Sequence, residues 1–203
     1  MSATGRGKPR DLLDRYYTPA LLAERLTALL PVRETDRVLE PSCGGGAFVR
    51  ALLRRSPRVH ALDLDSNARG LAATPFARVG DFLREPVPDR GFDWIVGNPP
   101  YQDAEAHVAH ALRCVREGGS VAFLLRLGFL EGQKRIPFWR THPARRVFVL
   151  SERPSFTGGG TDSAAYGFFW WSRGWREETS LRVLSWRGDR DRALSLFDSP
   201  SAK

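Results

Sequence analysis

The chain has 203 residues, 42% hydrophobic and 27% charged, a composition that suits one folded domain and excludes disordered and fibrous classes. No run of about 18 apolar residues occurs and "MSATGRGKPRDLLDRYY" has no apolar core, so neither a membrane span nor a secretory signal is expected. The formal net charge is +8, carried by 28 arginines and three lysines; it reflects either a polyanionic partner or a GC-rich coding sequence.

Residues 1–12 read as a mobile basic tail, 13–175 as the core and 176–203 as a loosely attached extension. Within the core, "RVLE" (37–40) is a short strand and "GAFVRALLRR" (46–55) a helix after a glycine turn. "RVHALDLD" (58–65) is a second strand, and "SNARGLAA" (66–73) a helix capped by Ser66. "FARVGDF" (76–82) and "FDWIVG" (92–97) are the third and fourth strands. Residues 103–119 form a helix with Asp103 as cap and Gly118 as stop, and "SVAFLLRL" (120–127) is a fifth strand. After a less regular stretch (128–144) come two β-rich runs, 145–150 and 164–171, joined by a Gly-rich loop. Strand–helix alternation predicts an α/β, Rossmann-like, doubly wound and mostly parallel sheet. The last two runs have no helix between them, so the seven strands end in an antiparallel hairpin. Ligands of such a sheet bind at the carboxyl ends of its strands.

Cys43 and Cys114 are the two cysteines. They make no disulfide framework, and no CxxC or Cys/His spacing suggests zinc, so reduced thiols, no metal and a cytoplasmic setting are expected. His107 and His110 lie one helical turn apart but without a carboxylate cluster to complete a metal site.

The motifs fall on strand ends. "VLEPSCGGGAF" follows the first strand, and its three glycines allow a tight turn and close approach to a ligand. Asp63 follows Glu40 by 23 residues at the end of the second strand, where a carboxylate can accept from ribose hydroxyls; the competing role is helix capping by Asp63 or Asp65. Asp81 ends the third strand beside Phe82, a partner for an adenine ring or a core residue. "CGGGAF" is not GxGxxG, and Glu40 disfavours a pyrophosphate; a nucleoside carrying a sulfonium, S-adenosylmethionine, fits better.

"LEPSCGGGAF" together with "NPPY" (98–101) resembles the amino-methyltransferases of nucleic-acid bases, above all the N6-adenine DNA methyltransferases. "YYTPALLAERL" (16–26) is similar to that family's upstream cofactor motif, and "ALDLD" and "GDFL" to its ribose- and adenine-binding acidic positions. The likeness spans residues 16–172. It implies a cofactor set of Tyr17, Thr18 and Pro19 at the methionine end, with Glu40, Pro41, Cys43, Gly44, Gly46, Asp63, Leu64, Asp81, Phe82 and Asn98. It also implies a bacterial or phage-infected host cell.

The exocyclic amine of adenine is a poor nucleophile because its lone pair is delocalised into the ring. The Asn98 side-chain oxygen and the Pro99 carbonyl could accept its two hydrogens and localise that lone pair. Pro99 and Pro100 fix φ, holding both acceptors in place before substrate arrives. Tyr101 could stack on a base flipped out of its duplex. The resemblance implies a second aromatic wall from the loop 153–166, with Phe156 the candidate and hairpin packing its alternative; Arg153 is a candidate phosphate contact or a solvated arginine. Trp170 and Trp171 alternate faces and suit sheet packing.

NPPY also serves methyltransferases of a release-factor glutamine amide, which carry a helical domain ahead of the first strand; some 36 residues precede it here. Methylation of RNA, at adenine N6 or guanine N2, is a further alternative to DNA. Sequence-specific DNA relatives carry a large target-recognition domain after the hairpin, and about 30 residues follow Trp171. The expectation is relaxed recognition, or specificity supplied by a partner or a dimer.

Overall fold

A computed structural model describes residues 17–86, 88, 91–156 and 163–187, and the backbone of 194–195. In chain order the regular elements are α1 (Ala20–Ala28), β1 (Val38–Glu40), α2 (Ala47–Leu53), β2 (Val59–Asp63) and β3 (Phe76–Val79). They continue with β4 (Phe92–Gly97), α3 (Ala104–Cys114), β5 (Val115–Arg126), α4 (Ile136–Thr141), β6 (Arg146–Leu150), β7 (Tyr166–Ser172), β8 (Ser180–Leu184) and β9 (Leu194–Ser195). The strands form one sheet in the order β3-β2-β1-β4-β5-β7-β6-β8-β9. β3 through β5 are parallel, and β7 runs antiparallel to both β5 and β6.

Alternation along the central strands divides the core in two. Val38, Val96, Ala122, Phe168 and Trp170 face α1 and α2, while Leu39, Ile95, Val121, Phe169 and Trp171 face α3 and α4. Trp170 and Trp171 thus pack on opposite faces, as the alternation predicts. Cys43 and Cys114 are free, buried thiols in separate halves of the core. No described helix is long and apolar enough to cross a membrane.

Four expectations change. Residues 66–73 hold only a 3-10 turn, Leu71–Ala73, and Ser66 caps nothing. The segment directs its polar groups elsewhere: the Asp65 carboxylate accepts from the Asn67 N–H (3.0 Å), and the Gly70 N–H donates to the Gly44 carbonyl (2.8 Å). The third strand stops at Val79, because Asp81 caps a 3-10 turn by accepting from the Leu83 N–H (3.0 Å). The helix from residue 103 ends at Cys114, well before Gly118, and Asp103 makes no side-chain cap hydrogen bond. Val115 instead joins the sheet opposite Phe92, where Gly91 lets the two backbones touch; a Cβ there would lie 2.4 Å from the Arg116 nitrogen. Finally, the sheet has nine strands rather than seven, since residues within 176–203 extend it. β8 pairs in parallel with β6, and Trp186 is buried with its indole N–H donating to the Glu152 carbonyl (2.9 Å). The tail 1–12 and the loop tip Gly158–Gly160 lie outside the described residues.

The chain's four histidines share one electrostatic feature. Burial pushes His60, His107, His110 and His142 below the ordinary imidazole value, assisted by a neighbouring arginine at all but His107. In the unfolded chain each takes up a proton near pH 6.5, whereas the folded protein resists it, so stability is complete above that pH and lost as pH falls below it. Glu40, held well above the usual carboxylate range by burial, acts in the opposite sense. With four groups against one, Tm should be lower at about pH 5.5 than at pH 7.5. Thermal denaturation across that range is the check, and a flat profile would remove the histidines from the balance.

A candidate active site at the switch point of the sheet

Strand order reverses between β1 and β4, which are neighbours although β2 and β3 lie between them in sequence. At their carboxyl ends opens a cavity of about 270 Å³. Its wall brings together Tyr17, Thr18, Pro41, Cys43, Gly44, Asp63, Leu64, Asp81, Phe82, Asn98 and Pro100 from the expected sites. Glu40, Gly46 and Pro19 support this wall without lining it, and Pro99 is buried behind it.

The glycine turn is fixed by hydrogen bonds from below. Asp63 Oδ2 accepts from the Gly44 N–H (2.7 Å) and Oδ1 from the Asp65 N–H (2.9 Å). The carboxylate thus shapes the turn and keeps acceptor capacity for hydroxyls. Gly46 adopts φ 78°, opening α2, with its N–H on the Cys43 carbonyl (2.6 Å). A Cβ on Gly70 would lie 2.7 Å from that same carbonyl, so two glycines are needed where the turn meets the 66–73 segment.

Glu40 is 2% exposed, with Oε1 accepting from the Ser42 N–H (3.1 Å). Its carboxyl lies against Gly97, the residue before Asn98. Burial, with Asp63 adding repulsion, raises its pKa and disfavours the ionised form; a cation close by would offset that cost. Burial also raises the Cys43 thiol far above its normal value, and the thiol serves as neutral wall. Further along the cavity Leu64 is 61% exposed, and Phe82 is buried with its ring edge-on to His110 (4.8 Å) and tilted on His107 (5.7 Å). The two histidines therefore back an aromatic surface; His107 also donates to the Asp103 carbonyl through Nδ1–H (3.0 Å).

At the other end the Asn98 Nδ2 donates to Thr18 Oγ1 (3.2 Å), joining the NPPY turn to the Thr-Pro segment 80 residues earlier. This orients the amide with its oxygen turned from Thr18. Tyr101 packs on Tyr166 (5.7 Å between centroids), and the Arg126 guanidinium lies 5.1 Å from the Tyr101 ring centroid. Phe156 is 7% exposed and meets Tyr166 edge-on (5.0 Å), so Tyr166 is the ring against Tyr101 and Phe156 braces it. Arg153 is exposed after β6, at the same end of the sheet. Neither Arg126 nor Tyr166 stands out in the sequence. The signal for both is register, because they face each other as the last residue of β5 and the first of β7.

Residues 39–123 match the family model described as a methyltransferase domain. The structure superposes on a Listeria monocytogenes protein described as a putative class I S-adenosylmethionine-dependent methyltransferase with TM-score 0.64 at 16% identity, covering 83% of this chain and 66% of that one. The chain has the class I methyltransferase fold. The M protein of the type I restriction enzyme EcoKI gives TM-score 0.69 at 15% identity over 84% of this chain and 48% of that one. In sequence, the type II methyltransferase M.TthHB8I of Thermus thermophilus is 34% identical over 121 residues, 57% of this chain. The chain spans 27% of that protein's length. The cofactor of this methyltransferase fold is S-adenosylmethionine, and the residues present fit it. Asp63, Asp65, Asp81 and Asp103 stand on the cavity wall, which among the described residues holds no arginine or lysine and so suits a ligand of net positive charge.

Proposed function

We propose that the protein transfers the methyl group of S-adenosylmethionine to the N6 amine of adenine in DNA. The observation that carries the reading is the placement of Asn98: on the cavity wall, at the switch point, with its amide oriented by Thr18. When bound, the cofactor supplies an electrophilic methyl group. Asp63 would hold its ribose and Asp81 its adenine amine, with Leu64 and Phe82 against the adenine faces. The chain's own task is to present a nucleophile. Asn98 Oδ1 and the Pro99 carbonyl accept the two amine hydrogens, drawing the lone pair out of conjugation. Pro99 and Pro100 keep both acceptors fixed, so little reorganisation is left for the reaction itself.

Tyr101 offers its ring to the flipped base, braced by Tyr166 and carrying Arg126. A guanidinium above an aromatic ring is stabilised there by the ring's electron-rich face. The net charge of +8 supports a polyanionic substrate. DNA is supported by the likeness to the type II methyltransferase of Thermus thermophilus and by a structural neighbour named as the M protein of a type I restriction enzyme. Target choice by a partner subunit or a second copy belongs to the same proposal.

The test is methyl transfer from labelled S-adenosylmethionine to duplex DNA, single-stranded DNA, total RNA and a release-factor protein, each separately, followed by mass spectrometry of the product. N6-methyladenine in DNA is the expected result. Label confined to RNA or to a glutamine amide would leave fold and cofactor standing and remove the substrate.

A further inference from the structure

The acid-rich wall that suits the cofactor's sulfonium and ammonium leaves one requirement unmet. The methionyl carboxylate is the cofactor's single anionic group, and among the described residues no arginine or lysine lines the cavity to receive it. Arg69 lies one residue beyond Ala68, a wall residue, and one before Gly70, whose N–H is fastened to the glycine turn through the Gly44 carbonyl (2.8 Å). Its guanidinium sits 5.9 Å from the centroid of Tyr17 and, among the described residues, makes no ion pair. The Tyr17 ring in turn covers the glycine turn, its carbons 3.0–3.8 Å from where Cβ atoms of Gly44 and Gly45 would stand. Two segments far apart in sequence thus meet above the turn. Arg50, the other arginine beside it, is committed to the Gly45 carbonyl through Nη2 (2.8 Å).

We propose that Arg69, steadied by the face of Tyr17, binds the α-carboxylate of the cofactor's methionyl end. The inference rests on the cofactor identification and not on the nucleic-acid substrate. A guanidinium matches a carboxylate with two parallel N–H donors, and stacking on Tyr17 reduces the freedom it must give up on binding. Tyr17, 45% exposed and outside the core, acquires a purpose that packing does not supply. Arg69 is then the group that distinguishes the intact amino-acid moiety from a bare nucleoside.

Calorimetric titration with two ligands tests this. S-adenosylhomocysteine carries the amino-acid carboxylate; 5′-methylthioadenosine has the same nucleoside and a thioether but no amino acid. Arg69→Met should weaken S-adenosylhomocysteine by about tenfold or more and leave methylthioadenosine unchanged, with Arg69→Lys intermediate. Tyr17→Leu should weaken the same ligand selectively and by less. Equal weakening of both ligands in Arg69→Met would assign Arg69 to the shape of the turn and overturn the proposal, as would no weakening of either. A wild-type protein that binds neither ligand would overturn the cofactor identification and the inference together.

Discussion

Asn98→Ala should reduce methyl transfer by roughly 10²–10³-fold or more, the cost of removing one preorganised hydrogen-bonding group from a polar transition state. Cofactor affinity should change little, by less than about threefold, because a single neutral side-chain hydrogen bond contributes on the order of 1 kcal/mol and is here internal to the protein. The amide lies on the cavity wall, but its Nδ2 is directed to Thr18 and not into the ligand space. Single-turnover transfer and equilibrium titration with S-adenosylhomocysteine separate the two effects. Asn98→Asp is the informative companion. A carboxylate still accepts from an amine, and it can take the Thr18 hydroxyl hydrogen, so part of the activity should survive. If Asn98→Ala loses cofactor and catalysis together, Asn98 is a support for the Thr-Pro segment and the acceptor role falls.

The parts of this site legible in the sequence are those whose chemistry is local. "EPSCGGGAF" needs only the knowledge that glycines turn tightly and that a buried acid prefers a cation, and "NPPY" needs only the stiffness of proline. The seven strands expected from alternation are all present, since each has a pattern of apolar residues that declares itself within a few positions. What depends on distant partners was not readable. The helix expected over 66–73 gives way because Gly70 bonds to Gly44, 26 positions earlier. Asp63 reads as a ligand for ribose, yet its first partners are the backbone N–H groups of Gly44 and Asp65. β8 is missed because its short run of Leu181, Val183 and Leu184 gains meaning only beside β6. Tyr166 is the same case: as the first residue of a buried aromatic run it looks like core, and only its register opposite Arg126 brings it to Tyr101.

Gly97→Ala should be the most destabilising small change near the site. A Cβ at Gly97 would stand 2.0 Å from Glu40 Oε1 and 2.5 Å from its Cδ, distances no packed pair of atoms adopts. Relief by rotating the acid away is barred on two sides. Glu40 is 2% exposed and held by the Ser42 N–H, and moving it would strand a buried polar group. The alternative is to displace the end of β4 and carry Asn98 with it. Overpacking of this kind costs about 3 kcal/mol, which for a chain of this size lowers Tm by roughly 6–12 °C. Glu40→Ala vacates the same space, so the double variant should be more stable than the sum of the single effects predicts. That recovery is specific to a steric conflict between these two residues. Activity should not recover with stability, because the acid that holds the glycine turn through the Ser42 N–H is then gone. Equal Tm for Gly97→Ala and wild type, or strict additivity in the double variant, would show that β4 and Glu40 do not meet as described. Recovery of Tm without transfer would separate the two roles of Glu40: filling the space that Gly97 leaves, and supporting the glycine turn through the Ser42 N–H.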